Sequence, residues 1–452
     1  MLWNSKLIEK YNLSGPRYTS YPTASQFSSD ISKISLIERM LAPATKPLSL
    51  YFHVPFCAHL CYYCACNKIV TKKYDKSREY IELLDEELRL RSLMIQTEQP
   101  VTQLHFGGGT PTFLSTESIK TLLDKITQYF TLLEDDSGDY SIEIDPREID
   151  EEKLTCLRKV GFNRLSFGIQ DFDERVQTAI RRSQSVELVT KILNQAKELK
   201  FHSINFDLIY GLPFQSVESF ERTLNIVLEM SPDRLSVFNY AHLPERFPSQ
   251  KRILNTSLPS AETKLAMLKR IIERLTDAGY VHIGMDHFAK AEDSLAIAQK
   301  EQRLKRNFQG YTTHKETDLI AFGTSAISHF NNTYIQNHID LVTYQQSIEN
   351  GQLPIAKGYI STEDDLIREH VIMTLMCDYE LDFASFKKKF NVPFDCYFSK
   401  EHKELTSLEK DKVIMIDNQK IQVTDAGKLL IRCICMIFDQ YLNNGTRYSK
   451  VI

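Results

Sequence analysis

Six short runs rich in apolar and β-branched residues punctuate the first half of the chain. Each ends in turn-forming or polar residues. The run at 48–53 leads into a cysteine-rich stretch, and that at 101–106 into Gly107-Gly108-Gly109-Thr110-Pro111. Runs at 140–144, 164–169, 203–210 and 234–240 stop at Asp145-Pro146, Gln170-Asp171, Gly211-Leu212-Pro213 and Ala241-His242-Leu243-Pro244. Between them the apolar period lengthens to that of a helix. Ile81, Leu84 and Leu88 share one face of 75–93, and Ile119, Leu122, Leu123 and Ile126 one face of 116–130. Leu154, Leu157 and Val160 precede a helix stop at Gly161, and 185–199, 216–230 and 260–278 continue the alternation. Strand–helix alternation with parallel strands predicts an α/β fold with right-handed crossovers and a curved or barrel-like sheet. The cysteines, the glycine triplet, Glu143, Gln170, Asp207 and Tyr240 all fall at or near strand ends, the rim where such barrels carry their sites.

The pattern differs outside this core. Gly15, Pro16 and small polar residues interrupt any period in the first thirty residues, while Tyr11, Arg17, Tyr18, Tyr21 and Phe27 offer anchors, which predicts an irregular N-terminal arm. Residues 283–289 and 306–311 are dense in polar and aromatic side chains, and 321–328 in small ones, suited to close approach to a ligand. Helical stretches at 363–377 and 383–390, a hairpin at 413–416 and 421–423, and a helix over 425–442 predict a C-terminal helical, winged-helix-like cap. That segment has no basic stripe, so a structural lid is expected and not a nucleic-acid reader. The expected division is an arm over 1–47, the barrel with its extension over 48–330, and the cap over 331–452.

Composition adds boundaries. The 452 residues are 42% apolar and 25% charged with net charge −4, giving no broad field for nucleic acid or an anionic membrane. No apolar run reaches membrane-spanning length and the first residues lack a signal-peptide core, so a cytoplasmic location is expected. Of nine cysteines, Cys156, Cys377, Cys396, Cys433 and Cys435 are scattered and read as ordinary buried thiols.

The other four stand within ten residues: Cys57, Cys61, Cys64 and Cys66, in the order C-x3-C-x2-C-x-C. Zinc usually takes two separated ligand pairs, and no second pair follows at suitable distance. The first three spacings resemble the loop of radical S-adenosylmethionine (SAM) enzymes. There three thiolates hold a [4Fe-4S] cluster and leave one iron open for SAM. Glycines at 107–109 let the backbone approach a ligand. Glu143 alternates with Ile142 and Ile144 and should face the barrel interior, where it or Asp145 would take SAM's ammonium or ribose. Arg17, Lys68, Arg181 and Arg182 are candidates for gripping carboxylates, whereas His53 and His287 read as satisfied core histidines.

GPRYTSYPTA, CxxxCxxCxCNK, HFGGGTPT, IEIDPRE, GFNRLSFGIQDF, NFDLIYGLP, RLSVFNYAHLP, GMDHFA and RNFQGYTT span 15–313. Together they resemble the oxygen-independent coproporphyrinogen III oxidases, radical SAM enzymes of haem biosynthesis, and the resemblance implies that family's fold, a partial (β/α)6 TIM-like barrel with an N-terminal arm and a C-terminal cap. The resemblance implies Cys57, Cys61 and Cys64 as cluster ligands, with Cys66 and Arg17 in catalysis. Tyr51, Gly108, Glu143 and Ile327 would contact the cluster-bound SAM. Tyr63, Gly109, Thr110, Gln170, Arg182, Asp207 and Ala241 would line a second SAM, so two molecules are expected. Arg17 and Arg182 would meet substrate carboxylates. The implied reaction converts two propionates of coproporphyrinogen III to vinyls, with electrons from a small protein such as flavodoxin or ferredoxin. A monomer without nucleic-acid or membrane partners is expected. A haem chaperone and an anaerobic haem-degrading radical SAM methyltransferase are the alternatives.

Overall fold

The computed structural model describes residues 3–43, 45–95, 97–314, 316–442, 448 and 450. They form two compact units, and both are discontinuous in sequence. One gathers 28–279 with 316–360; the other gathers 1–27, 280–315 and 361–452. These units depart from the contiguous divisions expected at 47/48 and 330/331, because the chain leaves the larger unit after 279 and re-enters it at 316.

In the larger unit the six expected strands are present as Leu48–Val54, Pro100–Gly108, Asp139–Ile144, Arg164–Gln170, Ser203–Tyr210 and Arg234–Asn239. Neighbours pair in parallel in the order sixth to first, and Asp318–Phe322 then joins the first in parallel. Three antiparallel strands, Ile327–Phe330, Thr333–Asn337 and Ile355–Ile360, extend that side. A helix after each of the second to sixth strands begins where a serine or aspartate caps it. Ser115, Asp150, Ser185, Ser216 and Ser260 each accept a hydrogen bond from the N–H of the third residue on.

Period-2 alternation separates the two faces of this sheet. Phe52, Phe106 and Phe322 pack together on the helix side, with Phe52 stacked on Phe322 at 4.8 Å. The other face is polar. In register across it stand Tyr51, His105 and Ser141, then Glu143, Ser166 and Asn205, then Asp207 and Ser236.

Behind the first strand lies a buried ion pair. Glu87 and Arg91, on helix Lys76–Ser92, are both fully inaccessible, 2.9 Å apart. Glu87 also accepts from the Gly323 N–H, the Tyr344 hydroxyl and the Asn337 amide, at 2.8, 2.7 and 2.8 Å. The small residues at 321–328 therefore approach this network, since a Cβ on Gly323 would lie 2.4 Å from the Tyr80 hydroxyl.

The smaller unit holds two hairpins, Tyr280–Gly284 with His287–Lys290 and Lys305–Asn307 with Gly310–Thr312. Its C-terminal portion is mainly helical around a three-stranded antiparallel sheet, Glu380–Asp382, Lys420–Val423 and Ile414–Ile416. The core includes Phe386, Phe394, Phe398 and Phe438 together with Tyr18 and Tyr21. The N-terminal residues are part of this core. Tyr18 donates to Asp439 at 3.0 Å, the Gln440 N–H donates to the Tyr21 hydroxyl at 3.1 Å, and the buried Arg432 donates to the carbonyls of Gly15 and Pro16.

Three sequence expectations change here. The arm opens with a helix, Ser5–Tyr11, which Asn4 caps and Ile8 anchors; seven residues are too few to show a helical period. The helix expected over 425–442 shortens to Lys428–Leu430 running into Ile431–Met436. There the Ile437, Phe438 and Asp439 N–H groups donate only three residues back, so the ladder tightens and ends. Cys396 is exposed and Cys156 half-buried, not buried thiols. Among the described residues no helix is long and apolar enough to cross a membrane.

Candidate active site

The first strand runs directly into the cysteine loop. Phe56–Cys57 pairs with Ile69–Val70, so the loop is closed at its base, and the Tyr62 N–H reaches the Ile180 carbonyl at 3.0 Å. Cys57 and Cys61 are buried, Cys64 half-buried and Cys66 exposed. The Thr110 hydroxyl donates to the Cys57 sulfur at 3.4 Å, and Arg147 and Arg182 each approach the Cys61 sulfur at 3.5 Å. Lys68 donates to the Cys64 carbonyl at 3.1 Å.

Burial pushes the Cys57 thiol up to about 12. The Cys66 partner and then Lys68 outweigh burial at Cys64 and hold it at about 6. A donor or cation beside each of the three positions suits sulfurs that serve as thiolates. Among the described residues no three His, Cys, Asp or Glu side chains are arranged around a single-ion position. A cubane differs from such an ion in taking its thiolates on separate irons.

Beside this loop the glycines come within contact of the first strand. Gly108 has φ +119°, and a Cβ there would lie 2.7 Å from the His53 ring. A Cβ on Gly109 would lie 2.6 Å from the Pro55 carbonyl oxygen. The Gly108 N–H donates to Glu143 at 3.1 Å, and His105 stands 3.5 Å from the same carboxylate. Glu143 is on the polar face, as its alternation predicts, and its side chain stays 44% exposed. Tyr51 stacks on His105 at 5.7 Å, and its hydroxyl meets the His53 ring nitrogen at 3.1 Å. The other ring nitrogen of His53 meets the Asn67 carbonyl at 3.0 Å, so His53 is a satisfied core histidine.

Asp145 departs from expectation. Its carboxylate is occupied by Arg147 at 2.6 Å and Arg182 at 3.1 Å. Burial alone would raise it, but Arg182 and then Arg147 win and hold it at about 2. It is the counter-ion of two arginines, not an open acceptor. Arg182 is itself buried and also donates to the Gly168 carbonyl at 2.6 and 3.1 Å, so its charge is already matched. Gln170 is buried with φ +67°, at a register shift in the fourth strand.

Asp207 accepts from Ser166 at 3.1 Å and Asn205 at 2.8 Å. Burial, then Glu143, raise it to about 6. The Gln250 amide ties Tyr63 to Ala241 through their carbonyls, at 2.8 and 3.3 Å. Ile327 opens its antiparallel strand, half-buried. Arg17 belongs to the smaller unit, where it is ion-paired with Asp286. Arg181 lies 6.0 Å from the Tyr62 ring.

Sequence reading missed His105, Arg147, Ser166, Asn205 and Gln250. The first four were within reach, since His105, Ser166 and Asn205 share the alternation that marks Glu143 and Arg147 follows the Asp145-Pro146 turn. Gln250 carries no such signal.

The Radical SAM superfamily model matches residues 51–227, and the HemN C-terminal domain model matches 361–430. An oxygen-independent coproporphyrinogen III oxidase from Pseudomonas aeruginosa is 50% identical over 100% of this chain and 99% of that protein. The one from Escherichia coli is 47% identical over 100% of this chain and 98% of its own length. The solved structure of coproporphyrinogen III oxidase (HemN) from Escherichia coli, a radical SAM enzyme, superposes with a TM-score of 0.93 at 46% identity. That match covers 98% of this chain and all of the solved one.

Proposed function

The chain belongs to the oxygen-independent coproporphyrinogen III oxidases, a family of radical SAM enzymes, and from that premise we propose how its residues divide the work. The reaction is the oxidative decarboxylation of two propionates of coproporphyrinogen III to vinyl groups in haem biosynthesis. When bound, a [4Fe-4S] cluster and SAM would supply a one-electron cleavage that removes a hydrogen from the propionate β-carbon, the one bonded directly to the ring.

Cys57, Cys61 and Cys64 hold the cluster. The observation that carries this is the set of donors already turned on their loop, with Thr110 at Cys57 and Arg147 and Arg182 at Cys61. Tyr51, Gly108, Glu143 and Ile327 position the first SAM, and the exposed edge of Glu143 receives its ammonium. A second SAM lies along Tyr63, Gly109, Thr110, Gln170, Arg182, Asp207 and Ala241, with Asp207 accepting from hydroxyls in its carboxylate form. Cys66, next to the ligand set and outside it, acts in turnover. Arg17 meets a substrate carboxylate as one half of its ion pair with Asp286.

A flavodoxin- or ferredoxin-like protein supplies electrons to a cytoplasmic monomer. The full-length relatives favour this reading over a haem chaperone or a methyltransferase. An anaerobic assay with coproporphyrinogen III, SAM and a reductant tests it. Protoporphyrinogen IX should form, with 5′-deoxyadenosine and methionine in step; SAM consumption without vinyl formation would refute it.

A further inference from the structure

Arg306 sits in the hairpin Lys305–Asn307 and Gly310–Thr312 of the smaller unit, directly across the ladder from Tyr311. Only 4% of it is exposed, and its guanidinium lies over the Tyr311 ring at 4.7 Å. The ring covers one face of the group but takes none of its N–H donors. Nε and Nη1 of Arg306 are buried without a hydrogen-bond partner among the described residues, and so is Nε2 of Gln309, in the turn of the same hairpin. One hairpin thus carries three buried donors and no acceptor for them.

Charge points the same way. A buried guanidinium cannot shed its proton, so it needs an anion or a polar partner. The neighbouring turn offers Asp286, but that carboxylate is ion-paired with Arg17. His287, next to it, meets the Tyr311 ring edge-on at 5.3 Å and brings no negative charge. What is missing is an acceptor with two oxygens and a negative charge, which a guanidinium fork grips in its own plane.

We propose that Arg306, assisted by Gln309, is the seat of one propionate carboxylate of coproporphyrinogen III. This rests on the oxidase reading and adds to it a named substrate contact. SAM also carries a carboxylate, so substrate and SAM binding are measured separately. Holoprotein reconstituted without air is titrated with coproporphyrin III, the stable oxidised form of the substrate, by fluorescence quenching. The same titration uses its tetramethyl ester, and SAM is followed by equilibrium dialysis.

Arg306→Gln should weaken coproporphyrin III about tenfold or more, with ester affinity, SAM affinity and iron content unchanged. Arg306→Lys, which keeps charge and bulk but loses the fork, should show a smaller loss of the same kind. Unchanged coproporphyrin affinity in Arg306→Gln overturns the proposal and assigns the donors to ordered water. Equal losses for acid and ester overturn it in favour of packing, and a loss confined to SAM overturns it in favour of the cofactor. Should Arg306→Gln fail to fold, Arg306→Lys decides, since wild-type affinity there sinks the fork. A wild-type chain that turns over coproporphyrinogen III while the variants bind normally would leave the oxidase reading standing and remove only this contact.

Discussion

The Tyr80 hydroxyl donates to the His53 carbonyl at 2.8 Å and accepts from the Thr324 N–H at 3.0 Å. One phenol on helix Lys76–Ser92 thereby fixes the end of the first strand against the loop after Asp318–Phe322. His53 is also the residue whose ring abuts Gly108. Tyr80→Phe strands both main-chain groups and should lower stability by about 1–3 kcal/mol. Because the disturbance reaches the glycine loop, SAM affinity should fall as well; a lower melting temperature with unaltered SAM affinity would confine Tyr80 to packing.

Glu87→Ala should be more damaging. It leaves the fully buried Arg91 without its counter-ion and strips acceptors from Gly323, Tyr344 and Asn337. A loss of about 3–5 kcal/mol is expected for breaking one side of such a pair. Denaturant unfolding of the variant, compared with the wild type under the same anaerobic conditions, measures it.

The loop cysteines separate by phenotype. Cys61→Ala should lose most of the iron and the visible absorbance of reconstituted protein. Cys66→Ala should keep both and lose vinyl formation. Full iron content in the first, or normal turnover in the second, would overturn the corresponding assignment.

Asp207 gives a pH dependence with a definite sign. Burial and Glu143 raise it to about 6, above its unfolded value. Its contribution to stability is therefore full below about pH 4 and is lost as pH rises through about 6. Ligand binding runs the other way, because hydroxyl donors need the carboxylate. SAM affinity should climb between about pH 5 and about pH 7, and Asp207→Asn should flatten that climb in equilibrium dialysis.

Arg432→Ala removes the guanidinium that holds the carbonyls of Gly15 and Pro16. Limited proteolysis should then cut within the first 27 residues sooner than in the wild type. An unchanged cleavage pattern would mean that Tyr18 and Tyr21 alone keep the arm seated.

Much of this was legible in advance. The six parallel strands and their helices follow from period and punctuation, because an element buried on one face must repeat its apolar positions. The same alternation places Glu143 on the polar face beside Tyr51 and Asp207. Other features left no local trace. Asp145 looked like an open acceptor until Arg182, 37 residues on, proved to hold it. The antiparallel strands after Asp318–Phe322 are short, and their partners are set by tertiary packing. Arg306 was visible only as one polar residue in an aromatic-rich stretch. The lack of an acceptor for its Nε and Nη1 among the described residues is a property of the folded surroundings.

The smaller unit, assembled from 1–27, 280–315 and 361–452, sets an order of events at the ribosome. Tyr18 and Tyr21 leave the ribosome 421 and 419 residues before Asp439 and Gln440, which complete their seats. At about 5–20 residues per second, the leading segment waits on the order of tens of seconds with its aromatic rings uncovered. Nascent chains stalled before residue 430 should therefore be the ones that chaperones engage, and release should follow translation of the closing stretch.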